Sequence, residues 1–140
     1  MIKTIAWMIF AFFCPTASAV QEVCASELDS LLNAIATIES SNDPNAYNAA
    51  EDAAGLYQIS RIYLKDVNRI LGYRKYILAD RFDPQKSEEM VRIYLGHYGK
   101  NKTLEDIARI HNGGPRGWSR PATKKYWLKI KKWLTKKGGE

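Results

Sequence analysis

Cysteine and histidine are scarce in this sequence of 140 residues, which contains two of each. Cys14 lies inside an N-terminal apolar run, and Cys24 is the single cysteine outside it. One thiol cannot form an internal disulfide, and Cys24 with His97 and His111 does not complete a zinc cluster of ordinary spacing. The sequence therefore predicts no disulfide framework, no metal site and no cofactor.

Long apolar runs and well-known cofactor or hydrolase motifs are missing as well. The apolar run over residues 5–14 is about half the length of a membrane-spanning helix. The sequence has neither a glycine-rich phosphate loop nor a Ser-His-Asp arrangement. Its 46% hydrophobic and 26% charged residues are ordinary for a globular protein, and its length fits a single domain.

The N-terminus has the layout of a secretory signal peptide. Lys3 supplies the positive start, the apolar run follows, and the small residues Ala17-Ser18-Ala19 form a cleavage site. We therefore assign residues 1–19 to a signal peptide and residues 20–140 to one domain, and we expect a secreted or periplasmic protein. A buried N-terminal helix or a permanent anchor is the alternative.

The formal net charge of +6 is unevenly distributed. Residues 116–140 contain nine basic residues and one acidic residue, whereas residues 20–115 contain eleven basic and fourteen acidic residues. A basic, aromatic-rich C-terminal helix can bind an anionic envelope surface, and export argues against nucleic acid as the partner. The alternative is a solvated lysine face on a helix whose aromatic side packs against the core.

Apolar residues recur at helical spacing along most of the chain, which predicts a small, mainly α domain. The pair Ser26 and Asp29 resembles a capping box at the start of the first helix. The polar, alanine-rich segment 45–57 is predicted to form a loop or a short irregular β-ribbon. We expect helices over about residues 26–40, 59–71, 84–98, 103–110 and 121–136.

Glu39 is the first candidate for chemistry, because it ends an apolar helix and precedes the polar residues Ser40-Ser41-Asn42. A carboxyl group half-buried against apolar neighbours has a raised pKa, which suits a general acid at neutral pH. The partial negative charge at a helix C-terminus acts in the same direction. A surface glutamate that happens to end a helix is the alternative.

Four short segments occur in a fixed order: Glu39-Ser40, Gly55-Leu56-Tyr57-Gln58, His111-Asn112-Gly113-Gly114 and the late Tyr126. This order resembles the lysozyme-like superfamily, specifically its soluble lytic transglycosylase and goose-type lysozyme branch. The resemblance covers roughly residues 26–136, which is nearly all of the chain after the predicted signal peptide. It implies a lysozyme-like α+β fold and a monomeric enzyme that cleaves the β-1,4 bond between N-acetylmuramic acid and N-acetylglucosamine in peptidoglycan glycan strands.

The resemblance also implies roles for the motif residues nearest the acid. Glu39 would protonate the glycosidic oxygen, and Ser40 would orient groups near that carboxyl. Tyr126 would place its hydroxyl near the Glu39 carboxylate and hold its geometry. A plain core aromatic is the alternative for Tyr126.

Five further positions are implied to bind substrate. Gln58 matches the glutamine that lines the cleft, and Asn112 and Gly113 match a turn that brings polar groups to the sugars. His111 stands where the family usually has tyrosine or phenylalanine, and we expect a structural histidine that stacks in the same place. Tyr57 replaces the more common methionine between leucine and glutamine.

Glycoside cleavage usually needs a second carboxylate. Asp52, with Glu51 behind it, is the candidate, because these residues follow Glu39 by 13 and 12 positions within the predicted ribbon. The alternative is that both residues are solvated loop charges. In lytic transglycosylases, which the chain also resembles, a single glutamate acts first as acid and then as base and leaves 1,6-anhydromuramic ends. A non-catalytic protein that binds the cell wall or a membrane is the third reading.

Overall fold

The computed structural model describes residues 23–137. The predicted signal peptide, residues 1–19, lies outside the described residues, so the signal peptide and the boundaries of the domain remain predictions. Within residues 23–137, no helix is long and apolar enough to cross a membrane.

Five α-helices and a small antiparallel sheet make up the described part of the chain, which confirms the predicted mainly α domain with a short β-ribbon. The helices are α1 (Ala25–Ser40), α2 (Arg61–Leu71), α3 (Pro84–Tyr98), α4 (Leu104–Gly113) and α5 (Lys124–Lys137). Short 3-10 helices lie at Leu78–Phe82, Gly117–Ser119 and Pro121–Thr123. The strands pair in the order β1 (Tyr47–Asn48), β2 (Ala53–Ala54) and β3 (Ile59–Ser60).

The first helix begins differently from the pattern that Ser26 and Asp29 predict. Cys24 is the N-cap, and its backbone N–H donates a hydrogen bond of 2.9 Å to the Glu27 carboxylate. Glu27, three residues after the cap, therefore replaces Asp29 as the capping carboxylate. Asp29 instead forms an ion pair with Arg92 of α3.

The break predicted at residues 111–115 also falls later in the structure. α4 continues through His111 and Asn112 to Gly113, and Gly114 ends it with a φ of 80°. Glycine adopts this left-handed conformation at low cost, so the glycine pair sets where the helix stops. The predicted last helix is split, because a 3-10 turn occupies residues 121–123 before α5 begins.

A close backbone contact fixes the turn between β2 and β3. Gly55 has a φ of 78°, and a Cβ at this position would lie 1.8 Å from the carbonyl oxygen of Arg81. The Arg81 side chain is only 4% exposed and donates hydrogen bonds to the carbonyls of Asp52, at 2.7 Å, and Ile59, at 3.1 Å. The short sheet is therefore fastened to the 3-10 helix that carries Arg81.

The core lies between α1, α3, α4 and α5 and beneath the sheet. Its most deeply buried apolar side chains include Leu31, Ile35, Ile59, Val67, Met90, Val91, Ile110 and Ile130. Burying each side chain of this size stabilises the fold by about 1.5–3 kcal/mol. Because α1 packs against both α4 and α5, its C-terminal end is held beside these helices and the sheet.

Candidate active site

The C-terminal end of α1 turns sharply away from the helix axis. Ser41 and Asn42 both have left-handed backbone conformations, with φ of 55° and 64°. The Ser40 hydroxyl donates to the carbonyls of Ala36, at 3.0 Å, and Leu56, at 2.9 Å. Ser40 thereby ties the end of α1 to the turn between β2 and β3, and this positions the neighbouring Glu39 side chain.

The Glu39 carboxyl is half-buried, with 20% of its side chain exposed. Burial raises its pKa above the ordinary glutamate value, and the negative charge of Glu51 acts in the same direction. The Tyr126 hydroxyl and the Lys129 ammonium lower that pKa but do not cancel the effect of burial. Glu39 therefore keeps its proton to a higher pH than a solvated glutamate does.

His111 lies against Glu39 as a buried, neutral group. Its Nε2 atom is 3.2 Å from the carbonyl oxygen of Tyr57, which can only accept, so Nε2 carries the hydrogen. Its Nδ1 atom accepts from the Tyr63 hydroxyl at 3.4 Å. Burial lowers the pKa of His111 to about 4. The 3.9 Å contact between Nε2 and a Glu39 oxygen is therefore not an ion pair at neutral pH.

The Tyr126 hydroxyl is buried and faces the Glu39 carboxyl. No hydrogen bond of standard geometry reaches it from any residue within 23–137. It nevertheless lies close enough to lower the pKa of Glu39, while burial, and then the Glu39 charge, raise the pKa of Tyr126. The hydroxyl is a donor that faces the carboxyl without a partner of its own among the described residues.

Gln58 and Tyr57, two of the predicted substrate-binding residues, make their side-chain contacts within the protein. Gln58 has a φ of 48°, and its side-chain amide donates to the carbonyls of Ala46, at 3.2 Å, and Gly55, at 3.1 Å. The Tyr57 ring is 5% exposed and packs in the core, where burial raises the pKa of its hydroxyl to about 12. The structure thus brings the Tyr57 carbonyl to the site and keeps the Tyr57 ring out of the cleft.

An open groove of about 770 Å³ lies beside His111, between α2, α3 and the end of α4. Asn112 and Gly113 are among the residues that line it, and their contact with the sugars stays a prediction. We name it the tyrosine groove, because its walls include Tyr63, Tyr94 and Tyr98. Tyr63, Tyr94 and Tyr98 were not predicted as site residues, because their helical spacing indicates only an apolar helix face.

The rings of Tyr63 and Tyr94 form the central wall of the tyrosine groove. They stack with their centroids 3.8 Å apart and an angle of 21° between their planes. Both residues are largely buried, and the Tyr63 hydroxyl is used by His111. This part of the wall is therefore aromatic, and it lies next to His111.

Asp52, the predicted second carboxylate, is held by two guanidinium groups. One of its oxygens lies 2.8 Å from Arg61 Nε and the other 3.2 Å from Arg81 Nη2, and the Tyr47 hydroxyl donates to it at 3.3 Å. The hydrogen bond from Arg61 is the main reason why the pKa of Asp52 lies below its ordinary value. Glu51 is exposed on the same loop, and its negative charge adds to the effect of burial in raising the pKa of Glu39.

Residues 21–134 match the model of a protein family, the transglycosylase SLT domain. The chain belongs to this family. The match confirms the resemblance to lysozyme-like proteins and covers the four motifs on which the resemblance was based.

Three lysozymes of bivalve molluscs are similar to this member of the SLT family. The lysozyme of Magallana gigas is 33% identical over 71% of the chain and 74% of its own length. The lysozyme of Ostrea edulis is 32% identical over 56% of the chain and 58% of its own length. Lysozyme 1 of Crassostrea virginica is 30% identical over 71% of the chain and 55% of its own length. The chain thus spans little more than half of two of these relatives.

In this SLT chain the motif residues form one connected unit around Glu39. Ser40 binds the carbonyl of Leu56, and His111 binds the carbonyl of Tyr57, so the first and third motifs meet on the second. Between residues 23 and 137, no group of three or more histidine, cysteine, aspartate or glutamate side chains is arranged to hold a metal ion. The chemistry that the unit offers is proton transfer at the Glu39 carboxyl.

Proposed function

We propose that this SLT family member is an exported glycosidase that cleaves the β-1,4 bond between N-acetylmuramic acid and N-acetylglucosamine in peptidoglycan. Membership of the SLT family and the similarity to lysozymes support a peptidoglycan-cleaving enzyme. The observation that carries the assignment of the acid is the half-buried Glu39 carboxyl, whose pKa is raised by burial and which lies 3.9 Å from His111, a residue that lines the open groove. Such a group keeps its proton to a higher pH than a solvated glutamate, which suits donation of that proton to the leaving oxygen.

The proton moves from Glu39 to the glycosidic oxygen as the bond between that oxygen and the sugar carbon breaks. The negative charge left on Glu39 then faces the Tyr126 hydroxyl, which is poised to donate a hydrogen bond to it. Neutral His111 adds no charge and holds the Tyr57 carbonyl in place. The Glu39 carboxylate next accepts a proton from the attacking nucleophile, which restores the acid.

Hydrolysis requires that this nucleophile be water, helped by a second carboxylate in most glycosidases. Of the two predicted candidates, Glu51 is the one whose charge acts on Glu39, and Asp52 is neutralised by Arg61 and Arg81. We propose that the Asp52 carboxylate mainly stabilises the sheet through its ion pairs, and that any second catalytic carboxylate is Glu51.

A lytic transglycosylase is the second candidate function, and the ion pairs of Asp52 favour it. If neither loop carboxylate takes part, Glu39 alone acts as acid and then as base. The nucleophile is then the 6-hydroxyl of the muramic acid itself, which closes a 1,6-anhydro ring. This alternative needs no group beyond Glu39 and the residues that hold it.

Mass spectrometry of digested peptidoglycan distinguishes the two reactions, because their products differ by one molecule of water. Reducing muramic ends indicate hydrolysis, and anhydromuramic ends indicate the transglycosylase. Glu39→Gln is the matched control and is expected to release neither product while it still sediments with peptidoglycan. If Glu39→Gln digests the wall as fast as the unmodified chain, the assignment of Glu39 is wrong. If the unmodified chain itself binds the wall without digesting it, the protein is non-catalytic.

We further propose that α5 holds the enzyme on an anionic envelope surface. Lys125, Lys131, Lys132 and Lys136 are exposed on this helix, whereas Tyr126 and Ile130 are buried. Charge attraction of this kind weakens as salt screens it. Replacing Lys131 and Lys132 with glutamine is expected to reduce adsorption to walls at low salt and to leave adsorption at high salt unchanged. Unchanged salt dependence in the double variant contradicts this role.

A further inference from the structure

We propose that the tyrosine groove binds the acidic peptides that peptidoglycan strands carry on their muramic acid residues, through the cations of Lys65, Arg69 and Arg120. The inference rests on the proposed function, since it names the part of the peptidoglycan substrate that this groove takes. All three cations line the groove, together with the stacked tyrosines and Asn112.

Arg69 is a cation that the fold holds ready in the groove. Its Nε donates to Asp66 at 2.7 Å, and its Nη2 donates to the Tyr98 hydroxyl at 2.6 Å. The Tyr98 hydroxyl in turn donates to the other oxygen of Asp66. The Arg69 side chain is still 63% exposed, so the guanidinium keeps N–H groups for a ligand. A guanidinium already fixed in place loses less freedom when it binds a carboxylate.

Lys65 and Arg120 complete a basic rim around the tyrosine groove. Neither side chain forms an ion pair or a hydrogen bond with any residue between 23 and 137, and both are exposed. Lys65 lies one helical turn from Arg69, about 6 Å along α2. The backbone of Arg120 is fixed, because its carbonyl accepts from Arg109 at 3.0 Å and from Thr123 at 2.8 Å.

The charge of the groove selects an anionic ligand. Asp66 is the acidic residue among those that line it, and the Arg69 guanidinium already neutralises its charge. Lys65 and Arg120 thus leave two positive charges without acidic partners within the described residues. In peptidoglycan the sugars carry neutral acetamido and hydroxyl groups, and carboxylates belong to the peptides attached through the lactyl group of muramic acid. Charge complementarity therefore points to these peptides rather than to the sugar backbone.

The position of the groove fits a substituent next to the cleaved bond. The groove includes His111, whose ring lies 3.9 Å from the Glu39 carboxyl. From Tyr63 it follows α2 to Arg69, a distance of about 9 Å along the helix. The largely buried Tyr63 and Tyr94 lie between the two ends, so a ligand meets them only over a small aromatic surface.

Direct binding tests this inference without depending on cleavage. The Glu39→Gln chain is mixed with soluble glycan strands, either with their peptides or after an amidase has removed the peptides and the lactyl carboxylates so exposed have been converted to neutral amides. The affinities are measured by calorimetry. Peptide-bearing strands are expected to bind more tightly. Lys65→Gln and Arg120→Gln, each added to Glu39→Gln, are expected to weaken the binding of these strands about twofold to fivefold and leave binding of stripped strands unchanged.

Two further variants make the result specific to the groove. Lys100→Gln removes the same charge from an exposed residue outside both the groove and α5, and is expected to leave the preference for peptide-bearing strands intact. Tyr98→Phe removes the hydroxyl that holds Arg69 and is expected to reduce that preference without unfolding the chain, which circular dichroism checks. An equal loss of affinity in Lys100→Gln and Lys65→Gln overturns the assignment of the groove.

The outcomes for the groove and for the proposed function are separable. Equal affinity of the Glu39→Gln chain for stripped and peptide-bearing strands overturns the inference about the groove, whatever the unmodified chain cleaves. If the affinities differ but the unmodified chain releases no products from either strand, the proposed glycosidase activity is wrong and the peptide-binding groove stands.

Discussion

Glu39 and Asp52 are two carboxylates of one small domain, and the fold gives them opposite surroundings. Burial at the end of α1 raises the pKa of Glu39, whereas hydrogen bonds from Arg61 and Arg81 lower the pKa of Asp52. One group is therefore suited to carry a proton, and the other remains ionised and binds cations that hold the sheet. The comparison teaches that partners and burial, rather than residue type, decide which carboxyl performs proton transfer.

The largest expected effect is on the Glu39 side of this comparison. Glu39→Gln removes the transferable proton and is expected to lower the rate of peptidoglycan cleavage about 10²–10⁴-fold. Its melting temperature is expected to stay the same or to rise, because a neutral amide is easier to bury than an ionised carboxylate. Turbidity clearance and thermal melting measure the two quantities. A large loss of stability in Glu39→Gln would break the comparison.

The next largest effect is expected on the Asp52 side. Arg81→Met leaves the Asp52 carboxylate without its buried partner and removes donors from the carbonyls of Asp52 and Ile59. The free energy of unfolding is expected to fall by about 2–6 kcal/mol, because these two carbonyls lose their charged donor, as measured by urea denaturation.

Arg61→Met is the matched control for the Arg81 variant. It removes the other guanidinium that binds Asp52, but its side chain is 53% exposed. Its cost is expected to stay below about 1 kcal/mol, since solvent screens an exposed ion pair. Equal costs for Arg61→Met and Arg81→Met would contradict the role given to the buried arginine.

An effect of pH on stability is expected from His111, which lies beside Glu39. Burial lowers the pKa of His111 from 6.5 to about 4. Between these values the unfolded chain binds a proton at this residue and the folded chain does not, so stability falls as the pH falls through the window. The total loss is on the order of 3 kcal/mol by pH 4.

His111→Phe sharpens this expectation. Phenylalanine keeps an aromatic ring but cannot bind a proton, so the free energy of unfolding is expected to change less between pH 6.5 and 4. The variant also loses the hydrogen bonds with Tyr57 and Tyr63, which lowers stability at neutral pH by about 1–3 kcal/mol. Urea denaturation of the two chains at pH 6.5 and at pH 4 measures the difference.

The smallest expected effect is a shift of the pH–rate profile. Glu51 raises the pKa of Glu39, and Lys129 lowers it. Because the acid must be protonated, activity is lost as the pH rises through the pKa of Glu39. Glu51→Gln is therefore expected to move this loss to lower pH, and Lys129→Gln to higher pH. If Glu51→Gln instead abolishes cleavage at every pH, Glu51 is the second catalytic carboxylate.

Much of the fold could be predicted from the chain, because helical spacing of apolar residues reports directly on burial. Leu31, Ile35, Met90 and Val91 lie in the core on the helix faces that their spacing indicates. The start of α1 could not be predicted in the same way. The Ser26 and Asp29 pattern fits a capping box as well as Cys24 and Glu27 do, and only the backbone conformation at Cys24 chooses between them.

The candidate site also contains some residues that the local sequence indicates and others that only the tertiary fold brings together. Glu39 could be found because its position at the end of an apolar helix already implies partial burial. Asp52 became a candidate because its distance along the chain is suitable, but its partner Arg81 lies 29 residues further on and is buried by the tertiary fold. The place of Tyr63 and Tyr94 in the groove wall could not be predicted for a related reason, since a groove wall and a core face have the same helical spacing.

The turn between β2 and β3 has a consequence for how such an enzyme can be varied. Donors from three other elements, Ser40, His111 and Arg81, bind the carbonyls of residues 56, 57 and 59, and Gln58 binds that of residue 55. One inserted residue here would move several carbonyls away from their donors at once. Loop exchange aimed at new substrates therefore belongs at the exposed residues 48–50, with the length of the turn between β2 and β3 kept unchanged.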